Sequence, residues 1–574
     1  MRIFYSFIGA LLLITGMLRA QEPVLKSGYI NPVDIPVRLS GTFSELRLNH
    51  FHAGIDIKTQ SVEGKLIRTV EDGYISRILV STSGYGKALY VAHPNGRTTV
   101  YAHLQRFEPK IEEYVRKAQY QKESFDIELF PEKELFVVKQ GDVIAYSGNT
   151  GGSEGPHLHF EVRETATQVP IDPLSNGFKV KDFIRPTLTL LKIYPQGNGS
   201  HVVGTQSPKE FFLAGWGPVY RVRDYDTISI GGNASFGLMA YDLLNDETNK
   251  NGYYSSDFFI DSTLVLSYDF SRMPFDETRY IHSLCDFAEY QLTGRWIPQT
   301  RIQPGNKLNA YKARVNDGIY SFAEGRTYKI KYVIRDYYQN ESILTFYVKS
   351  QKKQTSNTIK SVNCNKVLNW KSESSFETPD FKFIAPVGAF YDTVHFYYSS
   401  KNATPAYLAP YHRVHRKTTP IQAACTLMIK PKDLKPELYD KALVVRINDR
   451  GAPVSLGGTY ENGWVTTTIR GFGTYSILID TIRPSIKPIN ISAGKNLAKQ
   501  KTIKIQIRDN LAGIKSYRAT LNNKWILMEY DAKESLLTYA IDELLLKPNN
   551  DFFLEVSDQK NNKASIKLNL SYIK

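Results

Sequence analysis

The sequence predicts a mainly β protein: an antiparallel β-sheet domain near the N-terminus, followed by several β-sandwich modules. Three observations carry this expectation. Beyond Pro173 the chain is rich in Tyr, Thr, Ile and Asn and breaks into short alternating segments. Among them are Tyr328 to Ile334, Leu344 to Val348, Lys441 to Ile447, Thr474 to Ile479, Thr502 to Arg508 and Asp551 to Val556, a pattern of sandwich strands. Helical periodicity is sparse. Before Pro173, the runs Ala88 to His93 and Arg97 to Leu104 flank Pro94-Asn95-Gly96, and an Asn-Gly pair between alternating runs marks a hairpin.

Taken from the start, Met1-Arg2 is a short basic lead, Ile3 to Met17 is apolar, and Leu18-Arg19-Ala20 precedes polar Gln21-Glu22. This reads as a secretory signal peptide over 1–20, cut after Ala20. The run falls short of the roughly 20 apolar residues of a membrane span, and no later stretch supplies one, so no transmembrane segment is expected in the mature chain. The expected location is outside the cytoplasm: periplasm, cell envelope or medium. The 574 residues include only three cysteines, Cys285, Cys364 and Cys425, too few for a disulfide framework. They read as buried thiols, with a Cys364–Cys425 bridge as the alternative. The formal net charge is +15. Its basic residues are scattered rather than arranged in a stripe, which argues against nucleic acid as a partner and for an anionic envelope surface.

The chemistry is concentrated between His52 and Glu161. Gly151-Gly152-Ser153-Glu154-Gly155-Pro156 leads into His157-Leu158-His159-Phe160-Glu161. On a strand, His157, His159 and Glu161 share one face and Leu158, Phe160 and Val162 the other. Upstream lies His52-Ala53-Gly54-Ile55-Asp56. Together these segments offer His, Asp and His to one ion, the count of a catalytic zinc site with a position left for water. A straight strand would hold His52 and Asp56 about 13 Å apart, too far to share an ion, so the chain must bend, with Gly54 the residue free to adopt the needed dihedrals. On the second hairpin strand Tyr101 and His103 alternate onto one face, a further histidine directed at the same cleft. His50, His93 and His201 read as ordinary surface or core histidines. Glu161 has two readings, a carboxylate orienting a ligand imidazole or a solvent-facing strand residue.

The order HxGxD, Gly84-Tyr85-Gly86, Tyr101-Ala102-His103-Leu104, then GPHLHFE resembles the lysostaphin/LytM-type zinc metalloendopeptidases, family M23, over residues of about 46–174. The resemblance implies Zn²⁺ as cofactor, with His52, Asp56 and His159 as its ligands and His103 and His157 as the catalytic histidines. It implies hydrolysis of peptide cross-links in bacterial peptidoglycan. No residue of the set is missing, which bears on the alternative that the chain is a non-catalytic envelope scaffold or an activator of another wall hydrolase, as in family members that have lost ligands. A third reading makes the β modules the working part.

The peptidase domain is expected over 21–178. It contains an insertion over about 106–139, longer by roughly thirty residues than a turn requires. In it Ile111, Tyr114, Val115 and Ala118 fall on one helical face, Pro109 suits a helix start, and Phe125 to Leu129 alternates like a strand. It reads either as a surface excursion or as a lid over the cleft. Then follow a β-sandwich-like module over 179–352, a β-rich module over 353–480 and a final module over 481–574. Two similar joints, Phe183-Ile184-Arg185-Pro186 and Thr481-Ile482-Arg483-Pro484, introduce new strand runs. The last module resembles the immunoglobulin-like modules of bacterial surface proteins. Asp/Asn clusters such as Asp336-Tyr337-Tyr338-Gln339-Asn340 lack the spaced carboxylates of a dedicated calcium loop and read as Asx turns. No constellation comparable to the peptidase set is expected in the modules.

Overall fold

The computed structural model describes residues 28–354 and 363–573; the expected signal peptide, 1–20, lies outside them. Strands dominate throughout. The first region is built from β1 (Leu39–Gly41), β2 (Ile55–Lys58), β3 (Leu66–Arg68), β4 (Gly73–Val80), β5 (Lys87–Ala92), β6 (Arg97–Phe107), α1 (Pro109–Lys122), β7 (Ile127–Leu129), β8 (Val137–Val138), β9 (Val143–Ser147), β10 (His157–Glu164) and β11 (Pro170–Ile171). The main path of the sheet runs β1-β2-β10-β6-β5-β4-β7, all antiparallel. The expected hairpin is β5–β6. The alternation of β10 sends Leu158, Phe160 and Val162 into the core, each fully buried. Phe160 meets Tyr101 and Phe178 at centroid distances of 5.3 and 5.1 Å. Truncating so enclosed a ring to alanine costs about 3–5 kcal/mol, so the strand that carries the histidines is anchored firmly from behind.

The insertion forms α1 and β7. Glu108 caps the helix, accepting from Lys110 N and Ile111 N, with Pro109 at the first helical position, where its missing N–H costs nothing. Ile111 and Val115 are buried, Tyr114 packs edge-on to Phe136 at 5.4 Å, and β7 extends the edge of β4. None of residues 106–139 lines the cleft described below. The insertion faces the last module instead, through Tyr120 edge-on to Trp525 at 5.1 Å, Arg116 with Asp542 at 3.7 Å, and a Glu123–Arg518 ion pair.

Between Thr187 and Gln351 the strands form one ten-stranded sheet. Its middle closes on itself, because Glu341–Gln351 pairs in parallel with both Val219–Val222 and Thr227–Tyr241. Its core is continuous with that of the first region, in one apolar cluster reaching from Tyr29 to Tyr391. Phe51, just before His52, packs on Phe270 at 5.5 Å, and its N–H donates to Thr278 Oγ1 at 2.8 Å. Beyond it, two five-stranded sheets enclose a second core that spans Leu368 to Ile477. Two four-stranded sheets then enclose a third, from Ile491 to Leu570. The three cysteines are free, so the Cys364–Cys425 bridge is absent; Cys285 and Cys425 are buried.

Candidate metal centre and active-site cleft

β2 and β10 pair with His159 opposite Asp56 and His157 opposite Lys58. Directly opposed residues point to the same face, so register alone sets the Asp56 carboxylate against the His159 ring. His52 enters from the preceding turn, held where Ser44 N donates to His52 O at 2.8 Å and His52 N to Glu45 O at 3.0 Å. The expected bend at Gly54 is present, but its cause is not a left-handed φ. A Cβ there would strike the Phe160 carbonyl oxygen and Glu161 Cγ, so glycine is required for close approach to β10.

Three donor atoms converge. His52 Nε2 lies 3.0 Å from His159 Nδ1 and 3.1 Å from Asp56 Oδ1, and His159 Nδ1 lies 2.9 Å from Asp56 Oδ1. The far side of each ring has its own partner. His52 Nδ1 is 2.8 Å from the Thr42 carbonyl oxygen, which only accepts, so the proton sits on Nδ1 and Nε2 presents a lone pair. His159 Nε2 is 2.9 Å from Glu161 Oε1. Burial opposes the charge on Glu161, but the Arg163 guanidinium and His159 outweigh it and hold the carboxyl at about 2. The His159 ring therefore donates from Nε2 and turns Nδ1 inward. Asp56 is likewise ionised: burial works against it, while His52, His157 and His159 keep it well below the usual range. Arg47 Nη2 adds a bond of 2.9 Å to Asp56 Oδ2.

Two imidazole lone pairs and a carboxylate oxygen facing one another at these distances repel unless a positive species lies between them. A proton on His159 serves one pair: burial opposes it, and Asp56 and Glu161 raise the ring to about 9. One cation satisfies all three atoms together. The donor set, the count and the outward hydrogen bonds all fit a zinc ion with an open position, and these three residues form one of the clusters able to hold a metal among the described residues.

His103 and His157 lie beside this cluster. Their ring centroids are 4.9 Å apart, and His103 is 5.8 Å from His159. His103 Nδ1 donates to Thr150 O at 2.9 Å and His157 Nδ1 to Gly155 O at 2.8 Å, and His157 Nε2 lies 3.5 Å from Asp56 Oδ1. Burial, then the charges of His159 and His157, lower His103 to about 3, so its ring is neutral. The expectation that Tyr101 and His103 share a face is overturned. Tyr101 is buried in the core with its hydroxyl accepting from Val70 N at 3.1 Å, whereas His103 reaches the cleft. The register of β5 and β6 shifts between Lys87 and Leu89, and His103 has φ of +59°. A bulge reverses the alternation at that one residue, a strain of order 1–3 kcal/mol of the kind found at functional sites.

Glu161 is fully buried, which excludes the solvent-facing reading. It accepts from Tyr85 Oη at 2.6 Å and from Arg163 Nε at 2.6 Å, besides His159. Arg163, Arg47 and Thr42 were not singled out by sequence as parts of the site, and Tyr85 entered only within the Gly84-Tyr85-Gly86 motif, with no role assigned. Of the first three, Arg163 had an available signal, its position two residues beyond Glu161 on the same strand face. His93 bonds Asp72 O and Thr99 Oγ1 and His201 bonds Lys352 O, in line with structural roles, whereas His50 lines the cleft. The cleft, of about 870 Å³, is bounded by His52, His103, His157 and Lys58 and by Phe275 and Thr278 from the first β module. The last module touches its rim: Lys533 Nζ donates to the carbonyls of Asn149 and Ser153, in the glycine-rich loop whose Ser153 Oγ lies 3.1 Å from His157 Nδ1.

Comparison with known proteins agrees with this region. The model of peptidase family M23 matches residues 50–120 and 133–173, and that of a Zu5-like domain matches 365–480. The DD-carboxypeptidase/endopeptidase Mpg of Neisseria meningitidis serogroup B is 34% identical over 124 residues, 22% of this chain and 22% of that protein. An uncharacterized metalloprotease of Haemophilus influenzae is 30% identical over 148 residues, 25% of this chain and 26% of that protein. The chain thus spans only about a quarter of the length of these curated relatives. Among solved structures, the catalytic domain of the antimicrobial peptidase lysostaphin from Staphylococcus simulans is 22% identical, covering 24% of this chain and 86% of that one with a TM-score of 0.17. A zinc-containing peptidase from Vibrio cholerae is 25% identical, covering 26% and 39% with a TM-score of 0.19. The region that carries the His52, Asp56 and His159 cluster is thus similar to the domains of peptidase family M23, and the region at 365–480 to Zu5-like domains.

Proposed function

We propose that this chain is an exported zinc metalloendopeptidase that hydrolyses peptide cross-links of bacterial peptidoglycan. The observation that carries the reading is the inward convergence of the His52, Asp56 and His159 lone pairs, with each imidazole's far nitrogen already bonded. The printed name of the Neisseria relative, a DD-carboxypeptidase/endopeptidase, supports the substrate class, and the net charge of +15 supports residence at an anionic envelope.

In this reading His52 Nε2, Asp56 Oδ1 and His159 Nδ1 hold Zn²⁺, which supplies Lewis acidity toward the scissile carbonyl. The chain's own groups do the rest. Glu161 and Thr42 fix the tautomers and directions of the two imidazoles. The His103 and His157 rings, each anchored through Nδ1, line the cleft, where they accept a proton from attacking water and pass it to the departing amine. The test is digestion of purified sacculi of several cross-link types by the zinc-loaded full chain, with mass spectrometry of released fragments. Muropeptides cleaved at the peptide bridge are expected, and none from His159→Ala. Intact sacculi under wild-type enzyme that retains stoichiometric zinc would show that the substrate lies elsewhere.

A further inference from the structure

The joint between the peptidase sheet and the first β module holds a second convergence of ligands. Asp182, Asp242 and Asp336 place one carboxylate oxygen each within 4.8 Å of one another. With Asp172 they line a cavity of about 30 Å³. The four residues are between 2% and 5% exposed. No Lys, Arg or His forms an ion pair with any of them among the described residues. Backbone amides and one side-chain amide satisfy part of the set: Leu174 N bonds Asp172 Oδ1 at 2.9 Å, Ile184 N bonds Asp182 Oδ1 at 3.0 Å, and Asn340 bonds both oxygens of Asp336 at 2.9 and 2.7 Å. Asp242 Oδ1 is buried and has no hydrogen-bond partner. Unpaired carboxylates cost several kcal/mol each when taken from water, and gathering them around a cavity multiplies the cost.

We infer that this cavity binds one hard divalent cation of the calcium class. The spacing fits, because two oxygens at about 2.3–2.6 Å on opposite sides of Ca²⁺ lie about 4.6–5.2 Å apart. The volume suits one ion or water. An all-oxygen donor set selects Ca²⁺ over the softer metals that imidazole attracts. A second cluster, Asp480, Asp509 and Asp558, repeats much of the local wiring, including an Asp ahead of each Ile-Arg-Pro joint and an Asn four residues after the last Asp. It differs where it matters. Buried Lys560 lies beside that cluster, its Nζ donating to Gly458 O at 2.7 Å, so an ammonium already supplies positive charge there. The first cluster has no such group.

The position gives the ion a structural task. Thr42 and Phe43 of the peptidase domain line the same cavity, and the Thr42 carbonyl is the acceptor that orients His52. A bound cation would therefore tie the strand ends of the β module to the segment that aims His52.

The test uses the full chain saturated with zinc in every arm, so that loss of the peptidase metal cannot mimic the effect. Terbium luminescence is excited through the tyrosines lining the cavity, among them Tyr253, Tyr254, Tyr337 and Tyr338, and Ca²⁺ is added as competitor. Thermal melts are recorded with and without Ca²⁺. Wild type is expected to give sensitised emission that Ca²⁺ removes, and a melting midpoint raised by about 2–4 °C or more. Asp242→Asn and Asp336→Asn, near-isosteric changes checked for folding by circular dichroism, should lose both signals; Asp558→Asn should keep them. Absence of both signals in wild type would overturn the inference, as would their persistence in folded Asp242→Asn or their loss in Asp558→Asn alone. A melt of Asp242→Asn that equals or exceeds that of wild type at every Ca²⁺ concentration would also overturn it, by showing that the cluster is neutralised by shared protons.

Discussion

The His52/Asp56/His159 centre and the Asp182/Asp242/Asp336 cluster are both buried triads of converging donors, and they are assembled in opposite ways. In the first, adjacent strands in fixed register deliver Asp56 and His159, and every ligand's outer atom is bonded to a group that sets its proton. In the second, the acids come from a linker, the end of a long strand and a turn, and one oxygen has no partner at all. The comparison separates two uses of burial. Outer hydrogen bonds tune a mixed nitrogen and oxygen set for chemistry. A cluster of carboxylates with no basic side chain paired to it creates a demand for charge and suits a structural ion.

The largest expected effects fall on the first triad. His52→Ala and His159→Ala should each lose zinc and reduce hydrolysis to background, with the cores of the distal modules intact by circular dichroism; full zinc retention in both variants would refute the centre. His103→Ala and His157→Ala should keep zinc in elemental analysis yet lose about 10²–10⁴-fold in turnover of a soluble cross-link peptide. Wild-type rates from either variant would remove that histidine from the chemistry. Glu161→Gln sharpens the comparison, because it removes charge while keeping shape. Competition with a chelator should show zinc affinity weakened by about 10–100-fold, and an unchanged affinity would mean that the outer bond is not tuning His159. The smallest effect is expected at the rim. Lys533→Ala should leave zinc content unchanged and shift kcat/KM by no more than about tenfold, the worth of charge-assisted hydrogen bonds to loop carbonyls; a larger loss would give the last module a direct part in catalysis.

The same contrast explains what could be read in advance. His157, His159 and Glu161 sit at alternate positions of one strand, and His52 and Asp56 within five residues, so a period of two and a glycine expose the site to inspection. Asp182, Asp242 and Asp336 share no local pattern. Only Asp336 was noticed, as part of an Asx turn, and the convergence of the three depends on how a ten-stranded sheet closes on itself. The 21–178 domain boundary raises the same issue. Nothing local announces that Phe51 will pack on Phe270 or that Phe275 and Thr278 will line the cleft.

By itself, then, the sequence determined the strand-rich class, the β5–β6 hairpin, the helix of the insertion with its start at Pro109, and the identity of the candidate ligands. All of these rest on contacts between near neighbours in the chain, where side-chain period and turn chemistry act directly. Only the tertiary structure decided that a bulge turns His103 away from the face of Tyr101, that Gly54 is there for space rather than for its dihedrals, that the insertion braces the last module instead of covering the cleft, and that carboxylates from three distant segments meet. Those outcomes depend on packing between elements far apart in sequence, where the free energy of burying apolar surface outweighs local preference and brings together groups that no local pattern links.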